Sequence, residues 1–216
     1  MKKSFKKISF IFAIVLITAL VTNVSAINAD SKNDEEVDAL DREKEVQKTL
    51  EQTGQNLEEG LDLKVGEPLT VEFDDGSSIT HEITVEPANS DSDFNTLSSG
   101  QLNYAYTRVY EALLFGRADI KLHIEDARFA EYGQEKAITV HGPVYQSVPI
   151  TNFATVDTGA TNYKYVNYAD YTTSVRARAR GDIVFNVSGV TRQQSYDFAI
   201  EVNAGSPGEV SLISHY

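Results

Sequence analysis

After Pro68 most of the chain carries its apolar side chains at every second position. Leu69, Val71 and Phe73 alternate with Thr70, Glu72 and Asp74; Asp75-Gly76 follows, and then Ile79, Ile83 and Val85 alternate with Thr80, Glu82, Thr84 and Glu86. A period of two puts alternate side chains on opposite faces of a strand, so this stretch can bury one face only as a β-hairpin, turned at Asp-Gly and ended by Pro87. The same alternation recurs in Ala118, Ile120, Leu122 and Ile124 against Asp119, Lys121, His123 and Glu125. Ile138/Val140 and residues 163–171, 172–180, 183–188 and 195–202 continue it, with turn chemistry at Gly181-Asp182, Ser188-Gly189 and 205–208. Strands at this spacing predict a mainly β, antiparallel β-sandwich or barrel-like domain over residues 67–216.

Residues 101–115 fit two templates. On a helix Leu102, Tyr106, Val109, Tyr110 and Leu113 share one face, Ser98 to Gln101 has capping-box spacing, and Gly116 stands where a C-terminal cap belongs. On a strand Leu102, Tyr104 and Tyr106 alternate, but the pattern breaks at Arg108. The helical template is favoured, giving one internal helix at about 99–115.

Upstream the composition changes. Residues 1–26 read as a signal peptide: Lys2, Lys3, Lys6 and Lys7 precede an apolar run from Ile8 to Val21, too short to span a bilayer, and Val24-Ser25-Ala26 places cleavage after Ala26. Residues 27–66 then form an acidic, partly helical leader or docking segment. Within 30–62 there are 12 acids and four bases, and Ala39, Leu40, Val46, Leu50, Leu57 and Leu61 fall on about one third of a helical wheel interrupted by Gly54 and Gly60. No second apolar run of membrane length follows, so the expected location is secreted and extracellular.

The chain of 216 residues has 19 Lys+Arg against 32 Asp+Glu, and cleavage after Ala26 removes four lysines and no acid, leaving a charge of −17. Such a chain is not expected to bind nucleic acid, which needs a surplus of cations on its binding face. Absence of cysteine excludes disulfides, thiolate metal sites and thiol nucleophiles. The four histidines, His81, His123, His141 and His215, show no paired ligand spacing, and there is no nucleophile elbow, phosphate loop or dinucleotide fingerprint. His123 and Glu125 share a strand face, the pattern of a wet-face pair.

Two features point to binding. Arg176-Ala177-Arg178-Ala179-Arg180 on a strand sets three guanidinium groups on one side, about 6.6–7 Å apart. Like charges so placed call for an anion, either a ligand such as a phosphate-bearing wall polymer or acids of a neighbouring strand such as Glu72, Glu82 and Glu86. Tyr163, Tyr165 and Tyr171, among 11 tyrosines, share a face and form a candidate contact platform with Asn167. Asn89, Asp91, Asp93 and Asn95 place oxygens at alternate positions as a calcium loop does, but Thr96 and Leu102 stand where the loop glycine and closing Glu belong; no cofactor is otherwise implied.

The order of DGS hairpin, strand-rich middle, Tyr-rich strand and Arg/Ala strand, with the stretch Tyr168-Ala169-Asp170-Tyr171-Thr172-Thr173-Ser174-Val175-Arg176, resembles small secreted β-rich proteins of unknown function from Gram-positive bacteria. That resemblance implies a secreted β domain and carries over no activity and no catalytic residue. The expected function is a non-enzymatic extracellular binding module for an anionic envelope polymer, glycan or protein, with Arg176, Arg178, Arg180, Tyr163, Tyr165 and Tyr171 at the contact. The alternatives are a small hydrolase using a carboxylate pair and an assembly protein docking through its N-terminal helix.

Overall fold

The computed structural model describes residues 34–88, 100–113, 115–132, 135–168 and 171–213. The signal-peptide reading of 1–26 and the calcium candidates Asn89, Asp91, Asp93 and Asn95 lie outside those residues. Contacts gather Leu40–Tyr216 into one compact unit.

The helix is α1, Asp34–Thr53. Gly54 ends it in a left-handed conformation (φ 71°), its amide bonded to the Leu50 carbonyl at 2.9 Å. The strands are β1 (Leu61–Lys64), β2 (Leu69–Glu72), β3 (Ser78–Pro87), β4 (Gln101–Ala112), β5 (Gly116–Tyr132), β6 (Glu135–Val140), β7 (Val144–Asn152), β8 (Ala154–Thr158), β9 (Asn162–Tyr168), β10 (Tyr171–Val187), β11 (Val190–Asn203) and β12 (Glu209–Ile213).

They form two antiparallel sheets with a half-barrel curl. The first runs β1-β12-β11-β10, and the far edge of β10 is shared by β9 along its first half and β8 along its second. The second runs β2-β3-β4-β5, and the far edge of β5 is shared by β7 and β6. Each sheet is thus organised on one 17-residue strand, β10 or β5. The inner faces meet in a core that includes Ile83, Tyr106, Leu122, Val175, Ala177, Phe185, Phe198 and Leu212. The predicted hairpin is β2–β3, with Val71 opposite Ile79 and Asp75-Gly76 at its tip.

Residues 101–112 are a strand, not the expected helix. Leu102, Tyr104, Tyr106, Arg108, Tyr110 and Ala112 all point inward in register with β3 and β5. Arg108, the apparent break in the alternation, is itself buried because Glu45 of α1 neutralises it. Gly116 begins β5 rather than capping a helix.

Gly181-Asp182 is likewise no turn. It lies inside β10, where a Cβ on residue 181 would collide with the Asp157 carbonyl and the Tyr196 hydroxyl, so glycine serves close approach rather than chain reversal. The true reversal is Ser188-Gly189, both in left-handed geometry (φ 52° and 84°), as a two-residue hairpin matched to strand twist requires.

The segment expected as a leader or docking segment contributes to the domain from Glu45 onward. Leu57, Leu61 and Leu63 are buried, and β1 pairs with β12. The helix docks through Glu45 and Thr49 together with Val46 of the predicted stripe, which packs against the core, whereas Leu50 of the same stripe is 47% exposed. Among the described residues no helix is long and apolar enough to cross a membrane.

Candidate functional site

Alternation along β10 sends Val175, Ala177 and Ala179 into the core and Arg176, Arg178 and Arg180 to the outer face of the first sheet. The acids beside the arginines come from β11, not from Glu72, Glu82 or Glu86, which lie on strands of the other sheet. Glu201 stands opposite Arg176 and accepts its Nε at 2.7 Å, while its second oxygen accepts the Ser174 hydroxyl at 2.5 Å. Asp197 is opposite Arg180 in register but pairs diagonally with Arg178, through Nε at 2.6 Å and through Nη2. That diagonal choice leaves Arg180 exposed and, among the described residues, without an ion pair. On the other side of β10, Lys164 of β9 stands directly opposite Arg176, and Asn162 opposite Arg178. Two cations therefore face one another across adjacent strands.

The exposure of these groups is graded. Arg176 has 44% of its side chain in solvent, against 13% for Glu201. At that pair the cation lies above and the acid beneath, whereas Arg178 and Asp197 are equally exposed. Further along the same face the sign reverses where Asp182 meets Asp157 in register.

The tyrosines do not join this surface. Tyr163 and Tyr165 stand opposite Ala177 and Val175 and share their side of the sheet, the inner one. The Tyr165 hydroxyl donates to the Val140 carbonyl at 3.0 Å and accepts from the Val140 amide at 2.7 Å, stitching β9 to the edge of β6. Tyr163 is half-exposed, its ring edge-on to Tyr165 with centroids 5.7 Å apart. The side chain of Tyr171 lies outside the described residues. A single recognition surface of arginines and tyrosines is thus replaced by two faces with different tasks: cations outside, and a seam between sheets inside.

Compared with known proteins, the chain matches no family model, no curated protein and no solved structure. Function has to be read from the geometry alone.

A second polar constellation is internal. Glu45 accepts from Arg108 Nη2 through both carboxylate oxygens, at 2.6 and 2.5 Å, and its Oε1 lies 3.9 Å from His81 Nε2. His81 Nδ1 and the Tyr106 hydroxyl are 2.7 Å apart, and Arg108 also packs over the rings of Tyr110 and Phe198. Burial, and then the Arg108 charge, hold the His81 pKa well below its usual value. Burial likewise pushes the Tyr106 and Tyr110 phenols up. Burial opposes the Arg108 charge, but Glu45 more than offsets it and the guanidinium stays ionised. This cluster fastens α1 to β3 and β4. Its one carboxylate is committed to Arg108, which is not the arrangement of an acid–base pair across a cleft.

On the outer face of the second sheet His123 Nε2 and the Ser147 hydroxyl are 2.7 Å apart, the His123 ring stacks on Tyr145 at 4.5 Å, and the Tyr145 hydroxyl donates to Glu125 at 2.7 Å. Burial and Lys121 lower the His123 pKa. These side chains cover strands on a wet face, as expected for His123 and Glu125. Among the described residues no group of three or more acids and histidines is placed to hold a metal.

One end of the domain collects four turns. Gly76 of the β2–β3 turn lies against Leu113 of the β4–β5 turn, and Gly116 lies against Asn152 and Phe153 between β7 and β8. The Phe153 carbonyl accepts from Asn186 at 2.9 Å, and Arg192, just past the β10–β11 turn, reaches Asp75 at 3.4 Å. Beside this ring a groove of about 470 Å³ opens between α1 and the sheets, floored by Phe73, Ile79 and Tyr110. Nothing in the sequence marks Phe153 or Lys164, because both acquire their meaning from strand pairing.

Proposed function

We propose that the chain is a secreted, non-enzymatic binding module that holds an anionic extracellular polymer against the outer face of its first sheet, through Lys164, Arg176 and Arg180. The carrying observation is the cross-strand meeting of Lys164 and Arg176 next to an Arg180 that has no acid partner among the described residues. Like charges directly opposite one another destabilise a sheet. In a chain with 13 more acids than bases, acids to relieve the repulsion are abundant, yet Glu201 lies beneath Arg176 and Asp197 is spent on Arg178. An anion lying over the row removes the repulsion and gains charge-assisted hydrogen bonds. Arg176 and Arg180, four residues apart and so about 13–14 Å from one another along the strand, suit a repeating polyanion better than a single small ion.

The test is calorimetric titration of the protein with inorganic polyphosphate at low and high salt. Binding should weaken with salt, and Lys164→Gln/Arg176→Gln/Arg180→Gln should lower affinity at least about tenfold, with a fall in melting temperature no larger than that of Arg178→Gln. Arg178→Gln, which removes an internal pair, should lower stability and spare binding. Wild-type protein that ignores polyphosphate, or a triple variant that binds as well as wild type, sinks the reading.

A further inference from the structure

The ring of turns carries three exposed apolar side chains on neighbouring loops. Phe153 is 73% exposed and Leu113 57%, and Val190, at the start of β11 just past the β10–β11 turn, is exposed as well. Single exposed apolar residues need no explanation, but three converging on one end do. Phe153 also holds a left-handed backbone (φ 59°) that a bulky side chain adopts only at a cost, and it does so with its ring turned to solvent. Nothing in the packing of the domain requires a phenylalanine there.

The charges around these residues choose among occupants. Asp74 has 91% of its side chain in solvent, whereas its partner Lys48 has 29%. Asp75 is likewise more exposed than its partner Arg192, and Ser77 together with Arg192 outweighs partial burial to keep the Asp75 pKa below the ordinary range. Glu111 is exposed on the same rim. In these two pairs the cation is tucked under the acid, the reverse of Arg176 and Glu201, so an approaching molecule meets the Asp74 and Asp75 carboxylates beside Leu113, while Arg117, opposite Glu111, is the half-exposed cation of this end. Anionic surfaces, membranes among them, are repelled by such a rim, and a second copy of this acidic end is repelled as well.

We infer that this end is a docking surface for a cationic amphipathic segment of a partner protein, with Phe153 and Leu113 as the apolar anchors and Asp74, Asp75 and Glu111 receiving its Lys or Arg side chains. Buried aromatic anchors supply most of such affinity, and the charged rim sets orientation and encounter rate. The surface is independent of the arginine face, and neither stands or falls with the other. The two together describe a molecule that bridges a polyanion and a basic partner.

The experiment uses the whole chain and a synthetic 15-residue peptide of Lys and Leu at helical spacing, read by fluorescence anisotropy. Phe153→Asn is the decisive variant, because asparagine tolerates the left-handed backbone and removes only the ring. Affinity should fall at least about tenfold with melting temperature unchanged or raised. Asp74→Asn/Glu111→Gln should weaken binding similarly, and Glu58→Gln/Glu59→Gln, exposed acids outside the ring of turns, should not. Equal loss from both acid pairs, or no loss from Phe153→Asn, overturns the inference. So does Phe153-dependent binding to phosphatidylcholine vesicles, which would make these loops membrane-inserting, or Phe153-dependent self-association in light scattering, which would make the occupant a second copy.

Discussion

Arg108 of β4 and Glu45 of α1 meet inside the protein, one guanidinium nitrogen bridging both carboxylate oxygens at 2.6 and 2.5 Å with both side chains almost wholly removed from solvent. The helix face that docks here is Glu45 and Thr49, and the threonine hydroxyl bonds back to the Glu45 carbonyl at 2.7 Å. Attachment of α1 therefore combines charge neutralisation with the packing of Val46 against the core. It also explains how an arginine occupies an inward position between Tyr106 and Tyr110.

Removing one partner should cost far more than removing both. Glu45→Gln leaves Arg108 buried without a counter-charge and is expected to destabilise by about 3–5 kcal/mol in urea unfolding. The double replacement Glu45→Leu/Arg108→Met, which fills the volume without charge, should recover most of that loss. A single variant within about 0.5 kcal/mol of wild type would mean that the helix does not dock through this pair.

Acid should weaken the fold through His81. Its folded-state pKa is held well below 6.5 by burial and by Arg108, whereas the unfolded chain titrates near the ordinary value. Below about pH 6.5 the unfolded state binds a proton that the folded state refuses, so the stability present above that pH declines as pH falls, by up to about 1.4 kcal/mol per pH unit. The groups facing the imidazole are Tyr106, Arg108 and Glu45. The half-buried His123 shifts in the same direction and adds a slope of the same sign. Urea midpoints between pH 7.5 and 5 should therefore fall less steeply in His81→Asn than in wild type, whatever the absolute stability of the variant. Parallel slopes would show that His81 is not buried neutral.

What could be read from the chain was local in origin. The β2–β3 hairpin was legible because alternation and an Asp-Gly turn occur within 20 residues, and the outward row of arginines followed from alternation alone. Strand β4 was misread at Arg108, because the residue that neutralises it lies 63 positions upstream. That acids of a neighbouring strand could partner the arginines was legible, and Arg176 and Arg178 have such partners; which acids was not, because Glu201 and Asp197 reach them only through the β10–β11 pairing. Tyr165 was correctly placed on one strand face with Tyr163, but which face is inner depends on Val175 and Ala177 across β10. Phe153 and Leu113 come together through turns that belong to both sheets, and no window of sequence contains them.

Gly181 offers a direct test of the pairing that distinguishes one long β10 from two strands joined by a turn. At an exposed turn tip, alanine would be close to neutral. Inside β10 a methyl group on residue 181 meets the Asp157 carbonyl of β8 and the Tyr196 hydroxyl of β11 at once. The hydroxyl can be moved or deleted, but the carbonyl belongs to the paired backbone and yields only if β8 shifts. Gly181→Ala is thus expected to cost about 1–3 kcal/mol, as overpacking of a tight site does. Adding Tyr196→Phe should return only part of it, since that change removes one of the two obstacles and also gives up the 2.9 Å bond from Tyr196 to Gln146. Thermal unfolding of the four proteins measures the cycle, and a Gly181→Ala variant as stable as wild type would place the chain reversal back at Gly181-Asp182.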